Sequence, residues 1–343
     1  MDSMPVDICN DQTLWDNYVM SAPGACNYHR WTWREAIQKT YGHTPYYLAA
    51  VENGAIHGVL PLFRIKSRLF GTSLVSVPFF SYGGFLADSP AASNALLARA
   101  ADLAHELGAR HVELRQGSSI ESGWQEVASK VTMEIPLPAT PEQLWKRLST
   151  GMRNKIRNGQ KQGLRPEWGG LEAIDHFYPV FAANMRNLGT PVYPKSWFQN
   201  LWRCSPDSVR VLLLWDGTAP VAGAFLVDFR GTLELPWSAS LPESRKKYSQ
   251  VLLYWTFLEW AIQQGYKRMD LGRCTPGGGT YEFKRHWLCE ERLLHWYYWL
   301  PAGKPLPQLK PDSGRFRIAV QLWRHLPLPV ANGLGPLIVR SIP

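Results

Sequence analysis

Apolar positions recur at three- and four-residue steps from Tyr248 to Gln264, where Leu252, Trp255, Leu258 and Ile262 share a side and no proline or glycine intervenes. That is helical spacing. Gly265 supplies the left-handed stop that glycine adopts cheaply, and a short strand follows at KRMDL, ending at Leu271. Gly272, Pro276, Gly277, Gly278 and Gly279 then loosen the chain ahead of Tyr281, Phe283, Lys284, Arg285, His286 and Trp287. A helix, a strand and then a flexible loop carrying a cation beside aromatics is the pattern of a site at the end of a sheet strand. A hairpin turn with ordinary surface charges fits the same residues.

Earlier in the chain, Trp15 to Thr40 reads as helical pieces around the break PGACNYHRW. YYLAAV, the turn Glu52-Asn53-Gly54 and IHGVLPLFRI form a hairpin, since Asn-Gly is a strong turn signal. An apolar stretch from Leu74 to Phe80 leads into Ser81-Tyr82-Gly83-Gly84-Phe85; a helix from Ala91 to Leu107 is closed by Gly108, and HVELR is the next strand.

The second half runs through the same order. VRVLLLW, the turn Asp216-Gly217 and APVAGAFLVDF form a hairpin; LELPWSAS is extended; the helix to Gln264 and the strand at Arg268 to Leu271 complete the set. LAAVENGAIHGVLPL lies over LLLWDGTAPVAGAFL, and LAHELGARHVELRQG over WAIQQGYKRMDLGRC, with Gly58 to Gly223 giving an offset of 165 and Gly108 to Gly265 one of 157. Such a repeat implies an internal duplication and two α/β domains of mixed sheet flanked by helices, spanning 1–135 and 136–302. A Pro-rich and then apolar-basic tail, 303–343, is expected to pack on the first domain or touch a membrane surface.

With 343 residues, 45% hydrophobic and 19% charged, the chain has material for two cores. The formal charge of +9 favours an anionic partner, whether nucleic acid, phosphorylated substrate or anionic lipid, without choosing among them. Five scattered cysteines, none in a CxxC pair, indicate neither a disulfide framework nor a zinc site. The first residues are acidic and lack an apolar segment, unlike a signal peptide, so a cytoplasmic location is expected, with contact at the inner face of the membrane left open. No HExxH or GxSxG pattern is present.

The densest charge lies in LWKRLSTGMRNKIRNGQKQGLR, where seven cations occur with no acid among them. If helical, Leu148, Met152 and Ile156 form an apolar stripe and Arg153, Arg157 and Lys161 lie on the other side. A solvated basic face would account for this, but the absence of any acidic partner within the run favours anion binding.

Taken together, RNKIRNGQKQGL, WAIQQGYKRMDLGR and GGGTYEFKRHW resemble the FemAB-type transferases, built from two tandem copies of the GNAT acyltransferase fold. The tail LWRHLPLPVANGLGPLIVR resembles the FemAB-related subgroup associated with PEP-CTERM protein-sorting and exopolysaccharide loci. The resemblance implies N-acyl transfer from an activated donor, an aminoacyl-tRNA or an acyl thioester, to an amine of a cell-envelope or exopolysaccharide-related acceptor. It implies no tightly bound cofactor, the donor being a co-substrate. The family's Phe-Lys pair matches Phe283-Lys284 and places them at the transfer centre. Chemistry agrees, because aminolysis of an ester builds negative charge on the carbonyl oxygen that a held lysine stabilises.

Two acids are candidate bases: Asp88, which resembles the acid closing the family's Gly-Pro-x-x-Asp segment at a spacing one longer, and Glu234, where single GNAT domains keep a base. An exposed edge-strand acid is the plainer reading of both. Arg153, Lys155 and Arg157 are expected to hold donor or acceptor phosphate, and Trp237, Tyr248, Arg273, Tyr281 and Tyr82 to line the cleft. The chain departs from the family in lacking a heptad arm for tRNA. It also lacks a glycine cradle for pyrophosphate before either main helix, where SRKKYSQV and DSPAASNA stand. Loss of catalysis, leaving a binding or scaffold protein for an envelope polysaccharide or protein-sorting system, is the alternative reading. An RNA-binding protein acting through the basic helix is a third.

Overall fold

The computed structural model describes residues 4–67, 71–306 and 314–342, which divide into two units: Met1–Lys130 with Leu293–Leu309 and Arg340–Pro343, and Val131–Arg292 with Lys310–Val339.

Unit 1 opens with β1 (Val6–Ile8), α1 (Gln12–Ser21) and α2 (Trp31–Tyr41). The hairpin of β2 (Thr44–Glu52) and β3 (Ala55–Ser67), then β4 (Gly71–Ser76), β5 (Leu86–Ala87), α3 (Pro90–Glu106) and β6 (Val112–Gln116) follow. The strands pair in the order β1-β2-β3-β4-β6, antiparallel except for the β4/β6 pair, with β5 on β3. Leu96, Ala100 and Leu103 of α3 pack on Leu48, Leu60, Leu62 and Leu74. Trp15 of α1 and Trp31 of α2 pack on the Tyr47 ring.

After β7 (Gln125–Pro136), unit 2 contains α4 (Pro141–Arg147), α5 (Thr150–Gln160), β8 (Arg165–Gly169), α6 (Ile174–Leu188) and α7 (Lys195–Cys204). Then come β9 (Val209–Asp216), β10 (Ala219–Phe229), β11 (Thr232–Ser240), α8 (Ser249–Gln263), β12 (Arg268–Cys274) and α9 (Gly279–Arg285). Its sheet runs β7-β12-β11-β10-β9-β8, parallel only at β11/β12. Helix α8 lies among Leu212, Leu214, Ala224 and Leu226. Phe177 of α6 and Phe198 of α7 pack against Phe225. Strand β13 (Glu290–Trp299) pairs antiparallel with β6 through residues 295–299 and completes the unit 1 sheet.

The repeated order is therefore present as β2-β3-β4-α3-β6 and β9-β10-β11-α8-β12. Strand register corrects one anchor of the repeat. Ala50 faces Gly58 as Leu214 faces Ala222, so the hairpins superimpose at an offset of 164 (222 minus 58), and Gly223 is the neighbouring residue. A strand slipped by one points to the other face. Accordingly a Cβ on Gly58 would lie 3.0 Å from Leu96 of α3, whereas one on Gly223 would lie 2.8 Å from Phe177 of α6. The second anchor holds, since Leu74 pairs Val112 as Leu233 pairs Met269, an offset of 157 on the later strand (269 minus 112).

Three further expectations change. The basic run is two helices, because Leu148 caps the end of α4 and the Ser149 hydroxyl accepts from the Met152 amide at 3.2 Å to start α5; serine at that position favours a new N-cap over an uninterrupted helix. Strand β12 runs on to Cys274, and the segment bearing Lys284 is helix α9 rather than a loop. The tail divides: α10 (Gly314–Arg324) and α11 (Leu328–Val339) pack on α6 of unit 2, whereas residues 303–306 and 340–342 belong with unit 1 as expected. Arg186 donates to the Leu326 carbonyl at 3.3 Å, and Gly335 sits against the Val192 backbone where a Cβ would be 2.8 Å away. Residues 307–313 of the Pro-rich segment lie outside the described residues. Among the described residues no helix is long and apolar enough to cross a membrane.

Candidate active site

Strand β11 continues to Ser240 and β12 to Cys274, yet the two pair only through Glu234↔Asp270. Beyond that point they part, and the backbone of β11 on the side facing away from β10 has no partner from β12. The parting follows from Gly272, at φ +79°, which turns β12 in a bulge between Asp270 and Arg273. Asp270, buried at 2%, fixes the bulge: its Oδ1 accepts from the Gly272 amide at 2.7 Å and from the Thr132 hydroxyl of β7 at 2.6 Å.

Lys284 reaches this fork from α9. It is buried, at 5% exposure, and its Nζ donates to the Gly272 carbonyl at 3.0 Å and the Arg273 carbonyl at 3.5 Å. A Cβ on Gly272 would be 3.3 Å from the Leu235 carbonyl of β11 and 4.0 Å from Lys284 Nζ, which puts the ammonium near the vertex of the fork. An ammonium has three donors, and among the described residues two are taken. The back wall is aromatic: Phe283 meets the Tyr254 ring of α8 edge-on at 4.9 Å, and Tyr254 stacks on Trp287 at 5.7 Å. Burial pushes the Tyr254 hydroxyl up. It likewise raises Cys289, whose thiol donates to the Lys284 carbonyl at 3.2 Å, to about 12, against the lowering effect of the Lys284 charge.

The corresponding position in unit 1 is filled by the chain itself. There β4 and β6 pair through Val75↔Glu113, the register equivalents of Glu234 and Asp270, and Arg115 stands where Gly272 stands. The Arg115 amide donates to the Ser76 hydroxyl at 2.8 Å, its carbonyl accepts from the Gly83 amide at 3.0 Å, and its guanidinium reaches the Phe80 carbonyl at 2.6 Å. One fork is thus closed by the segment carrying Tyr82 and Gly83, and the other has an ammonium in place of an amide at the same carbonyl.

The remaining candidates divide by placement. Glu234 is buried at 4% on an interior strand, so it is neither exposed nor at an edge. Asp88, by contrast, is exposed in unit 1, accepting from the Tyr18 hydroxyl at 2.8 Å and facing His57 Nδ1 at 3.7 Å. Tyr82 is buried in unit 1 against Tyr28. Trp237 does not line a cleft, since its ring packs among Tyr193, Trp197, Phe198 and Phe225. Arg273 is exposed on β12 beside the fork, and the Tyr281 hydroxyl donates to Glu291 at 2.6 Å.

Arg153 donates to the Thr150 hydroxyl, Lys155 is exposed, and Arg157 lies over the Trp145 ring at 5.1 Å. Met152 and Ile156 bury the opposite face of α5, and Gly159 brings that helix to within van der Waals reach of Tyr248 and Leu252 at the start of α8. At that end of α8, Tyr248 is left-handed at φ 57° and Lys247 is paired with Asp216 at 2.5 Å. The Ser244 and Ser249 hydroxyls share a hydrogen bond of 2.7 Å, while Arg245 and Lys246 are exposed. Sequence reading missed Asp270 and Tyr254; the one signal for Asp270 was a carboxylate inside the apolar segment MDL.

Residues 146–285, within unit 2, match the family described as acetyltransferase (GNAT) domain. The structure is similar to that of FemX, with a TM-score of 0.68 at 16% identity over 85% of this chain and 97% of that one. It is also similar to the C-terminal domain of a putative lysylphosphatidylglycerol synthetase from Agrobacterium fabrum (TM-score 0.56, 12% identity, 90% and 93% covered). A third similar structure is a tandem GNAT protein from the clavulanic acid biosynthesis pathway (TM-score 0.53, 10% identity, 88% and 99% covered). No curated protein matches the chain. At these identities the structures speak for the fold alone, which is the tandem GNAT fold; the acetyltransferase (GNAT) domain matched over residues 146–285 supports an acyltransferase.

Proposed function

We propose that the β11/β12 fork of unit 2 transfers an acyl or aminoacyl group from an activated donor, an aminoacyl-tRNA ester or an acyl thioester, to an amine. The observation that carries this reading is the buried Lys284 ammonium, held by two carbonyls at the vertex of the fork with a donor to spare. In the step, the amine nitrogen bonds to the donor carbonyl carbon, the C–O or C–S bond breaks, and the amine proton leaves with the departing oxygen or sulfur. Charge on the carbonyl oxygen rises on the way, and an ammonium already fixed by the backbone stabilises it without reorganising. Phe283, with Tyr254 and Trp287, excludes water from that side. Glu234 and Asp270, paired across the closed end, are the carboxylates in sheet register with the vertex.

Basic helix α5, with Arg153, Lys155 and Arg157, is assigned to phosphate of the donor or acceptor. The α8 terminus offers no glycine cradle, and Lys247 is engaged by Asp216. That favours a donor held by side-chain cations over one held by backbone amides. Resemblance to the FemAB-type transferases supports an envelope or exopolysaccharide-related acceptor met at the inner face of the membrane. One similar structure is the C-terminal domain of a putative lysylphosphatidylglycerol synthetase.

The test is binding of charged tRNA, uncharged tRNA and several acyl-CoAs at two salt concentrations, with Arg153→Ala/Arg157→Ala beside the wild type. The expected result is preference for an acylated donor, weakened in the double variant by a factor that shrinks as salt rises. Failure of every donor to bind would overturn the assignment and favour the scaffold reading.

A further inference from the structure

Outside the unit 2 fork, unit 1 contains a cavity of about 870 Å³ lined by its own residues, within the range of roughly 300–1,000 Å³ common for small-molecule pockets. It lies on the sheet face opposite α3: Glu113 and Arg115 line it, whereas Val112 and Leu114, which alternate with them on β6, pack with α3. Its walls are apolar and aromatic, from Ile65, Val127, Leu294, Trp296, Tyr298 and Leu300.

Four cations, Arg110, Arg115, Lys130 and Lys304, line it against one carboxylate, Glu113. That carboxylate is already neutralised, since Arg115 Nε donates to Glu113 Oε1 at 2.7 Å with both side chains under a tenth exposed. The Arg115 guanidinium lies 4.5 Å over the Trp296 ring, and its Nη2 makes no hydrogen bond among the described residues. Arg110 folds across Gly71, where a Cβ would come within 2.5 Å of its Nε, and has no acidic partner among the described residues. Lys304 is exposed and likewise without one. Burial lowers His111, so that ring adds no charge at neutral pH.

An apolar chamber with surplus positive charge and an uncommitted guanidinium donor fits a ligand that is hydrophobic over most of its length and anionic at one end. We infer that this cavity binds a single-chain lipid carrying a phosphate group, the chain against Trp296, Tyr298 and the aliphatic wall, the phosphate against Arg110, Lys304 and Arg115. The inference is independent of the transfer reaction, because none of these residues belongs to the unit 2 fork.

The experiment is titration calorimetry of the full chain with lysophosphatidic acid below its critical micelle concentration. The monoacylglycerol of the same chain and inorganic phosphate serve as single-feature probes. One saturable site is expected, at least tenfold weaker for the monoacylglycerol and weaker still for phosphate. Arg110→Glu/Lys304→Glu should weaken lysophosphatidic acid at least tenfold. Ser129→Trp, at an exposed lining position, should block binding with an unchanged melting temperature. Absence of saturable binding overturns the proposal, as does undiminished binding by folded Ser129→Trp. Equal affinity for the monoacylglycerol overturns the phosphate assignment.

Discussion

Lys284 is held where a carbonyl would otherwise need another donor, and that double duty shapes what its replacement does. Its family resemblance was legible in the sequence, but its setting was not: the glycines before it suggested a loop, and α9 instead buries it. Glu234 misled in the opposite direction, since a charged residue in LELPWSAS reads as solvent-facing until the register shows β11 paired on both sides at Glu234, with Val227 of β10 and Asp270 of β12. Gly272 is the more sensitive residue. At φ +79°, with the Leu235 carbonyl 3.3 Å from a would-be Cβ, Gly272→Ala adds the left-handed cost of about 1–2 kcal/mol to a close contact. The expected result is a lowered denaturation midpoint together with loss of transfer, because both carbonyl acceptors of Lys284 shift. A variant of wild-type stability and rate would show that the bulge does not position the ammonium.

At the scale of elements, the contact between α5 and α8 joins the basic face to the helix that backs the fork. The apolar stripe at Met152 and Ile156 was readable from spacing alone. The break at Leu148–Ser149 was not, because a hydroxyl acting as an N-cap and one facing solvent look alike in sequence. Gly159 makes the contact possible: a Cβ there would lie 3.2 Å from Leu252 Cβ and 3.4 Å from Tyr248 Cβ. Gly159→Val must push the helices apart, at a cost of about 1–3 kcal/mol for an overpacked core position. If α5 carries donor phosphate, this variant should also weaken donor binding severalfold although no cation is altered. Unchanged donor affinity in a destabilised Gly159→Val protein would detach α5 from the donor.

Over the whole molecule, the duplication was the most legible feature, since hairpin, helix and strand recur in both units with matching register. Its glycine anchor failed by one residue because Gly58 and Gly223 are both small for different reasons, one under α3 and the other under α6. The closing strands β7 and β13 went unread, their alternation being weak. The units should also differ in acid. His29 and His43, both in unit 1, are lowered from 6.5 to about 4, chiefly by burial. The folded state therefore favours the neutral rings, and the unfolded chain takes up protons first as the pH drops. This stabilisation is complete above pH 6.5 and is lost as pH falls toward 4, by about 3 kcal/mol for a fully buried ring. Hydrogen exchange across that window should show amides of residues 26–50 losing protection before those of 209–262. The reverse order would contradict it.

The central claim, that the unit 2 fork is a transfer site built on Lys284, is tested most directly by single-turnover amide formation with the best-binding donor and an amine-bearing envelope precursor, wild type against Lys284→Met. Methionine keeps the length and removes the charge, leaving two carbonyls unsatisfied at about 1–3 kcal/mol in stability. The rate should fall by a factor on the order of 10²–10³ while donor affinity stays within a few fold. A folded Lys284→Met protein that forms the amide at the wild-type rate would contradict the account.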